Sequence, residues 1–201
     1  VKYVMNGYNF ATECILPSSW GYNAMDYRHL KAVHKKSGER NLDGFPHVNF
    51  FQRYFYYTII RRMTIINPLN YINYRKNDAI ESLQNNLGWQ YYGGKHYESR
   101  FTKFYQSYYL PVKFNIDKRR GHLSSLIMSE QLTRDEALKI INESVYSESE
   151  IEYDLEYIAK KLDWSLEEFK AILSQPPAKH QDFATNEFIF SLGMKLKKIL
   201  R

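Results

Sequence analysis

One cysteine in 201 residues, Cys14, excludes an internal disulfide, and without further thiols the usual zinc site of four Cys or His ligands at short spacing is not expected. The six histidines show no HExxH or other paired-ligand spacing, so no metal ligand set is predicted in this chain. Long apolar runs are missing too. None approaches the roughly 18 residues of a membrane span, and no signal-peptide pattern opens the chain. These absences predict a soluble, cytoplasmic chain with no membrane span. The phosphate-loop pattern G-x-x-x-x-G-K-[ST] fails at Gly94-Lys95, because Trp89 stands at its first glycine and His96 at its Ser or Thr. No G-x-S-x-G serine motif occurs, and Cys14 has no activating base nearby in sequence. The chain opens on Val1 rather than Met, in the apolar run VKYVM, and reads as a piece excised from a longer protein.

What is abundant is aromatic and basic. The hydrophobic content of 44% can fill a core, and the net charge of +6 hides a division. Glu130 to Lys170 holds 12 acids against 5 bases, leaving 23 bases against 10 acids elsewhere. A basic body suited to phosphates is thus joined to acidic helices that face solvent or a partner. The bases concentrate in Gly93 to Arg120, where Lys95, Arg100, Lys103, Lys113, Lys118, Arg119 and Arg120 stand against Glu98 and Asp117. Paired glycines Gly93 and Gly94 allow a ligand to approach the backbone closely. Lys95 and Arg100 are cations for phosphate oxygens, and Glu98 is a candidate base. His96 is either an acid or base, or a hydrogen-bonded structural residue. Lys118, Arg119 and Arg120 are either a diphosphate clamp or an exposed basic turn. Within this stretch Ser99 can cap a helix whose Phe101, Phe104, Tyr105 and Tyr108 form a buried stripe, ended by Pro111.

Along the chain, Val1 to Met5 reads as a short buried strand running into the turn Asn6-Gly7-Tyr8-Asn9, the place where open α/β sheets hold ligands. Gly7, Asn9, Thr12 and Glu13 are therefore candidate nucleotide or substrate contacts. Phe10 to Asn23 lacks a period and is predicted to be a loop. Asp26 should cap a helix that buries Tyr27, Leu30, Val33 and His34 and ends at Gly38. Asn49 should cap one that buries Phe51, Tyr54, Phe55, Thr58 and Ile59. Thr64 to Ile66 is strand-like, and a helix is expected from Asp78 to Gly88. Asp117 caps another through Leu123, Leu126 and Ile127, which Gly121 weakens by about 1 kcal/mol relative to alanine. Thr133-Arg134-Asp135-Glu136 and Ser165-Leu166-Glu167-Glu168 are capping boxes. Ile151, Leu155, Ile158, Ala159 and Leu162 form a helical stripe. The tail places Phe188, Leu192, Leu196 and Ile199 on one face, with Lys197, Lys198 and Arg201 in the last turn.

The segments GYNFATECILPSSWGYNAMDYRHLKAVH, INPLNYINYRKNDAIESL, GWQYYGGKHYESRFTKFYQSYYLPVKFNIDKRRGHLSSLIMS and LTRDEALKII together resemble the C-terminal half of the N-acetyl sugar amidotransferases of bacterial lipopolysaccharide and surface-polysaccharide synthesis. The likeness covers most of the chain and is most specific from Gly88 to Ile141. These enzymes are PP-loop ATPases, whose N-terminal domain carries an S-G-G-x-D-S loop that is absent here. Tyr8 also stands where the family pattern has the acid of Gly-Glu-Asn. The resemblance implies a mostly α chain with a few short strands, the C-terminal fragment of a Rossmann-like, adenine nucleotide alpha hydrolase-like α/β enzyme. Residues 1–130 would be the distal part of the synthetase domain and 131–201 a helical appendage. It further implies ATP and Mg2+ as cofactors of the full-length enzyme, with none in this fragment, which alone would be inactive. A nucleotide-linked N-acetyl sugar is the implied substrate, and a partner glutaminase supplies ammonia. Two other readings stay open. One is the RNA-binding part of a tRNA-modifying PP-loop enzyme, since eighteen tyrosines and a basic body could stack bases and meet phosphates. The other is a structural interaction domain.

Overall fold

Capping residues and apolar periodicity account for most of the architecture of the protein, whose computed structural model describes residues 1–192. The described chain is mostly helical, with two short strands, β1 (Tyr3–Met5) and β2 (Thr64–Ile66). It divides into two compact units. One comprises Val1–Asn6, Gly21–Ile66 and the segment from Ala178 onward, and the other comprises Gly7–Trp20 and Asn67–Pro177.

In the first unit β1 and β2 pair in parallel, with Val4 opposite Ile65. The expected burial of the first strand is not met, since Tyr3, Met5 and Ile65 are 59%, 78% and 55% exposed. Parallel strands are buried when both faces of the sheet are covered, and here Val4 is the sheltered residue of β1. Asp26 caps the helix Tyr27–Ser37 as expected: its carboxylate accepts from the Arg28 and His29 amides at the start of that helix. The same carboxylate accepts from the backbone and side-chain N–H groups of Asn186. That tie brings the segment from Ala178 onward against His29, whose ring lies 4.4 Å from His180 and 5.5 Å from Phe183. His29 is therefore the buried residue of this helix, and Val33, expected inside, is exposed. Asn49 and Gln52 cap each other reciprocally before Gln52–Ile60, which is a π-helix. Its i→i+5 winding is wider than the 3.6-residue period used to place a buried stripe. Phe51, Tyr54, Phe55 and Ile59 are accordingly exposed, with Phe51 and Phe55 packed ring to ring at 4.7 Å. Residues 187–192 are helical, with Phe188 and Leu192 exposed, while Leu196, Lys197, Lys198, Ile199 and Arg201 of the expected tail lie outside the described residues.

The second unit opens on α1 (Phe10–Glu13), a turn of helix where a loop was expected, because the Asn9 side chain accepts from the Thr12 amide and closes it. In chain order the helices that follow the first one are then α2 (Tyr27–Ser37, already described), α3 (Lys76–Leu87), α4 (Arg100–Phe104), α5 (Leu110–Phe114), α6 (Arg119–Met128), α7 (Arg134–Asn142), α8 (Glu148–Lys161) and α9 (Leu166–Ser174). α3 starts two residues before Asp78 and ends, as expected, at Gly88 in the left-handed region with φ 64°. Pro111 does not stop the helix before it. Tyr105–Tyr109 take π geometry, which displaces the carbonyls that a proline ring would strike in a regular α-helix, and the chain stays helical to Asn115 at φ 54°. Of the stripe expected inside, Phe104 is buried at 2% exposure while Phe101 and Tyr105 face out. Phe104 joins Leu155, Ile158 and Ala159 of α8 and Phe169 of α9 in the core. Both expected capping boxes form, and Ser147 with Glu150 makes a third at the start of α8. Leu162 ends that stripe as a C-cap and is exposed.

α1 packs on α6, and Gly121 is what lets them meet. A β-carbon there would stand 2.8 Å from the Ile15 carbonyl oxygen. Ser125, fully buried, accepts from the Ile15 amide and donates to the Gly121 carbonyl. Gly121→Ala, which helix propensity alone would make stabilising, should instead cost about 1–3 kcal/mol through overpacking. A denaturant midpoint unchanged or raised in that variant would show that the contact yields.

Candidate anion site

Backbone geometry aims the first cation. Gly93 at φ 84° and His96 at φ 67° fold the loop after Tyr92 back on itself, and a side chain at Gly94 would overlap the Tyr97 ring. Lys95 is thereby pointed at α1, where its Nζ donates to Glu13 Oε1 at 2.6 Å. Glu13 ends the helical turn that Asn9 caps, and Asn9 Oδ1 accepts from both the amide and the hydroxyl of Thr12, so these two residues close the turn that carries Glu13. A cavity of about 530 Å³ opens beside the pair. Lys76 from the first position of α3, Lys95, and His122 from the first turn of α6 line it, with Gly93, Gly94 and Tyr97 as part of the wall.

The electrostatics are lopsided. Burial pushes the His122 imidazole down to about 4, helped by the charges of Lys95 and Lys118 and by His96, against an opposing effect from Glu13. Burial and the neighbouring Lys95 also lower the proton affinity of Lys76 and Lys118. Several amines thus share a partly dehydrated space with too little carboxylate to neutralise them. Such a space has a standing demand for anionic oxygens.

The other candidates separate. His96 is half-exposed, 3.8 Å from the Glu98 carboxylate and with its ring 6.3 Å from that of His122. Glu98 itself is exposed, as are Gly7 and Arg120. Arg119 is committed to the fold: it forks onto Asp117 and donates to the carbonyls of Ile140, Ile141 and Glu143, closing the end of α7. Arg100 pairs with the buried Asp154 and lies between the rings of Tyr153 and Tyr157, 4.1 and 4.4 Å from their centroids. Lys76 and His122 escaped the sequence reading. His122 sits four residues after Lys118, adjacent on one helical face, which was the available signal; Lys76 carried none.

Among the described residues no three His, Cys, Asp or Glu side chains are grouped to hold a metal ion, and no helix is long and apolar enough to cross a membrane. A mostly helical unit with a lysine-lined cavity is the setting in which the family relationship appears. Residues 98–197, from the start of α4 past the end of α9, match the family model described as LPS biosynthesis protein WbpG-like, C-terminal domain. This part of the chain belongs to that family, and the protein is one of lipopolysaccharide biosynthesis. No curated protein and no solved structure matches the chain.

Proposed function

We propose that the protein is the substrate-side part of an ATP-dependent amidotransferase that converts the acetamido group of a nucleotide-linked N-acetyl sugar into an acetamidino group, with ammonia from a glutaminase partner. The observation that carries this reading is the convergence of Lys76, Lys95 and His122 on one cavity, of which His122 belongs to the segment that matches the lipopolysaccharide biosynthesis family. An amide oxygen is a very poor leaving group. ATP, held by the S-G-G-x-D-S domain that the resemblance implies, would supply the activation that turns that oxygen into a phosphate-ester leaving group, which ammonia would replace on carbon. This chain's contribution is to receive phosphate oxygens. Lys76 and Lys95 are point cations for them, and the Gly93-Gly94 backbone permits close approach. Preorganised cations of this kind stabilise charge that develops on the departing oxygens. The described residues offer no ligand set for Mg2+, and no step assigned to them runs through it. The acidic helices α8 and α9 are the dock for the ammonia-supplying partner in this reading.

The test uses the protein together with the S-G-G-x-D-S domain that the resemblance implies. Pyrophosphate release from ATP should require both ammonia and a nucleotide-linked N-acetyl sugar, and mass spectrometry should find O replaced by NH in the sugar. Release indifferent to the sugar, or none, would remove the amidotransferase reading. RNA binding with a steep salt dependence would put the tRNA-modifying reading in its place.

A further inference from the structure

We infer that the cavity over α6 is a dianion site that takes up a proton with its ligand, and that His122 is the group that receives it. The inference rests on reading this cavity as the phosphate site and adds how that site is coupled to pH.

The argument starts from which groups face the imidazole. Lys118 precedes it by one turn on its own helix, and Arg119, also on α6, is spent on Asp117 and the carbonyls ending α7. From the loop after Tyr92 come Lys95 and His96, and from α3 comes Lys76. α1 contributes Glu13, already held by Lys95, and the end of α7 contributes Glu143 at the cavity wall. Tyr91 and Tyr97 complete the titratable groups of that wall, and burial drives the Tyr91 phenol up, so it stays neutral. Around His122 the cations therefore outnumber the carboxylates, and the ring is kept neutral by its neighbours and its burial. A phosphoryl group bound among Lys76, Lys95 and His122 reverses the sign of the nearest charge. The ring then gains from being an imidazolium, with both nitrogens as donors, and draws a proton from solvent.

Linkage fixes the sign of the result. If the ligand raises the ring's affinity for a proton, protonation raises the ring's affinity for the ligand by the same factor. Anion affinity should be flat at alkaline pH, climb as pH falls through the proton affinity of the liganded state, and level off below about 4, where the unliganded ring is also charged. If the ligand restores the ordinary value of 6.5, affinity at pH 5 exceeds that at pH 8 by about thirtyfold.

Inorganic sulfate is the probe, because it stays a dianion across this range and any proton taken up belongs to the protein. Histidine ring signals of the full chain are followed by NMR from pH 4 to 8, with and without sulfate, at ionic strength matched with sodium chloride. The His122 signal, assigned in the wild-type chain by through-bond correlation to its own backbone, should titrate near 4 without sulfate and well above it with sulfate. His122→Gln should lose the rise in sulfate affinity between pH 8 and pH 5. A His122 signal that sulfate does not move, or one that it moves without changing the titration, overturns the inference, and both are read from the wild-type chain even should the variant fail to fold. Since sulfate is neither sugar nor nucleotide, proton-linked binding without sugar-dependent pyrophosphate release would sink the amidotransferase reading alone. Turnover without proton linkage would sink this one alone.

Discussion

Asp154→Ala is expected to cost roughly 2–4 kcal/mol, with the loss confined to the unit that holds α8. Asp154 is only 5% exposed, and its two oxygens serve different partners, Arg100 on one and the Tyr146 hydroxyl at 2.8 Å on the other. Tyr146 is itself buried, and both burial and the neighbouring carboxylate drive its phenol far up, so it remains a donor at any ordinary pH. Removing the carboxylate strands that donor and leaves a void next to Leu155 in the chain and one turn from Ile158, both of the core. Arg100 suffers less, because a third of its side chain reaches solvent and the rings of Tyr153 and Tyr157 still flank it. Asp154→Asn keeps an acceptor for Tyr146 and should fall between Asp154→Ala and the wild type, while Arg100→Gln should be milder than Asp154→Ala. Thermal unfolding followed by calorimetry gives the ordering. A wild-type melting temperature in Asp154→Ala would mean that this cluster sits on the surface of the fold and holds nothing together.

The position of Arg100 illustrates how much the sequence could convey. Caps are local: Thr133 with Glu136 and Ser165 with Glu168 are read from three-residue spacings, and they form as expected. The core stripe of α8 is equally local, since Leu155, Ile158 and Ala159 repeat at helical spacing. Periodicity misled where the helix was not an α-helix. The π segments Gln52–Ile60 and Tyr105–Tyr109 rotate side chains off the assumed face, so aromatic residues counted as core are exposed and Pro111 passes without ending the helix. The cavity was half legible. Gly93, Gly94 and Lys95 stood out by composition, and the structure places all three in its wall. What decides the electrostatics is pairing across the chain: Glu13 meets Lys95 from 82 residues away and Asp154 meets Arg100 from 54. No spacing rule announces such partners. A run of cations reads alike whether each one faces a ligand, as Lys95 can, or ties down a helix end, as Arg119 does.

Lys95→Met should lower sugar-dependent pyrophosphate release in the complete enzyme by about a hundred- to a thousandfold, the usual effect of deleting one preorganised charge-stabilising group. Its melting temperature should stay close to wild type, because a partly exposed ion pair such as Lys95 with Glu13, at 24% and 31% exposure, contributes about 0–1 kcal/mol. That split between activity and stability separates a phosphate-binding lysine from a structural one, and Asp154→Ala supplies the contrast in the same unit. Glu13 gives a second handle of opposite sign. It competes with any anion for Lys95, so Glu13→Gln should tighten binding of sulfate while Lys95→Met weakens it. The cavity also reports on itself. Lys95 is among the charges that hold down the proton affinities of Lys76, Lys118 and His122, so removing it should move the His122 titration upward from about 4 even without a ligand. Full turnover in Lys95→Met, or a loss of activity that merely tracks a lowered melting temperature, would take this lysine out of the site; an unmoved His122 would show that burial by itself keeps the ring neutral.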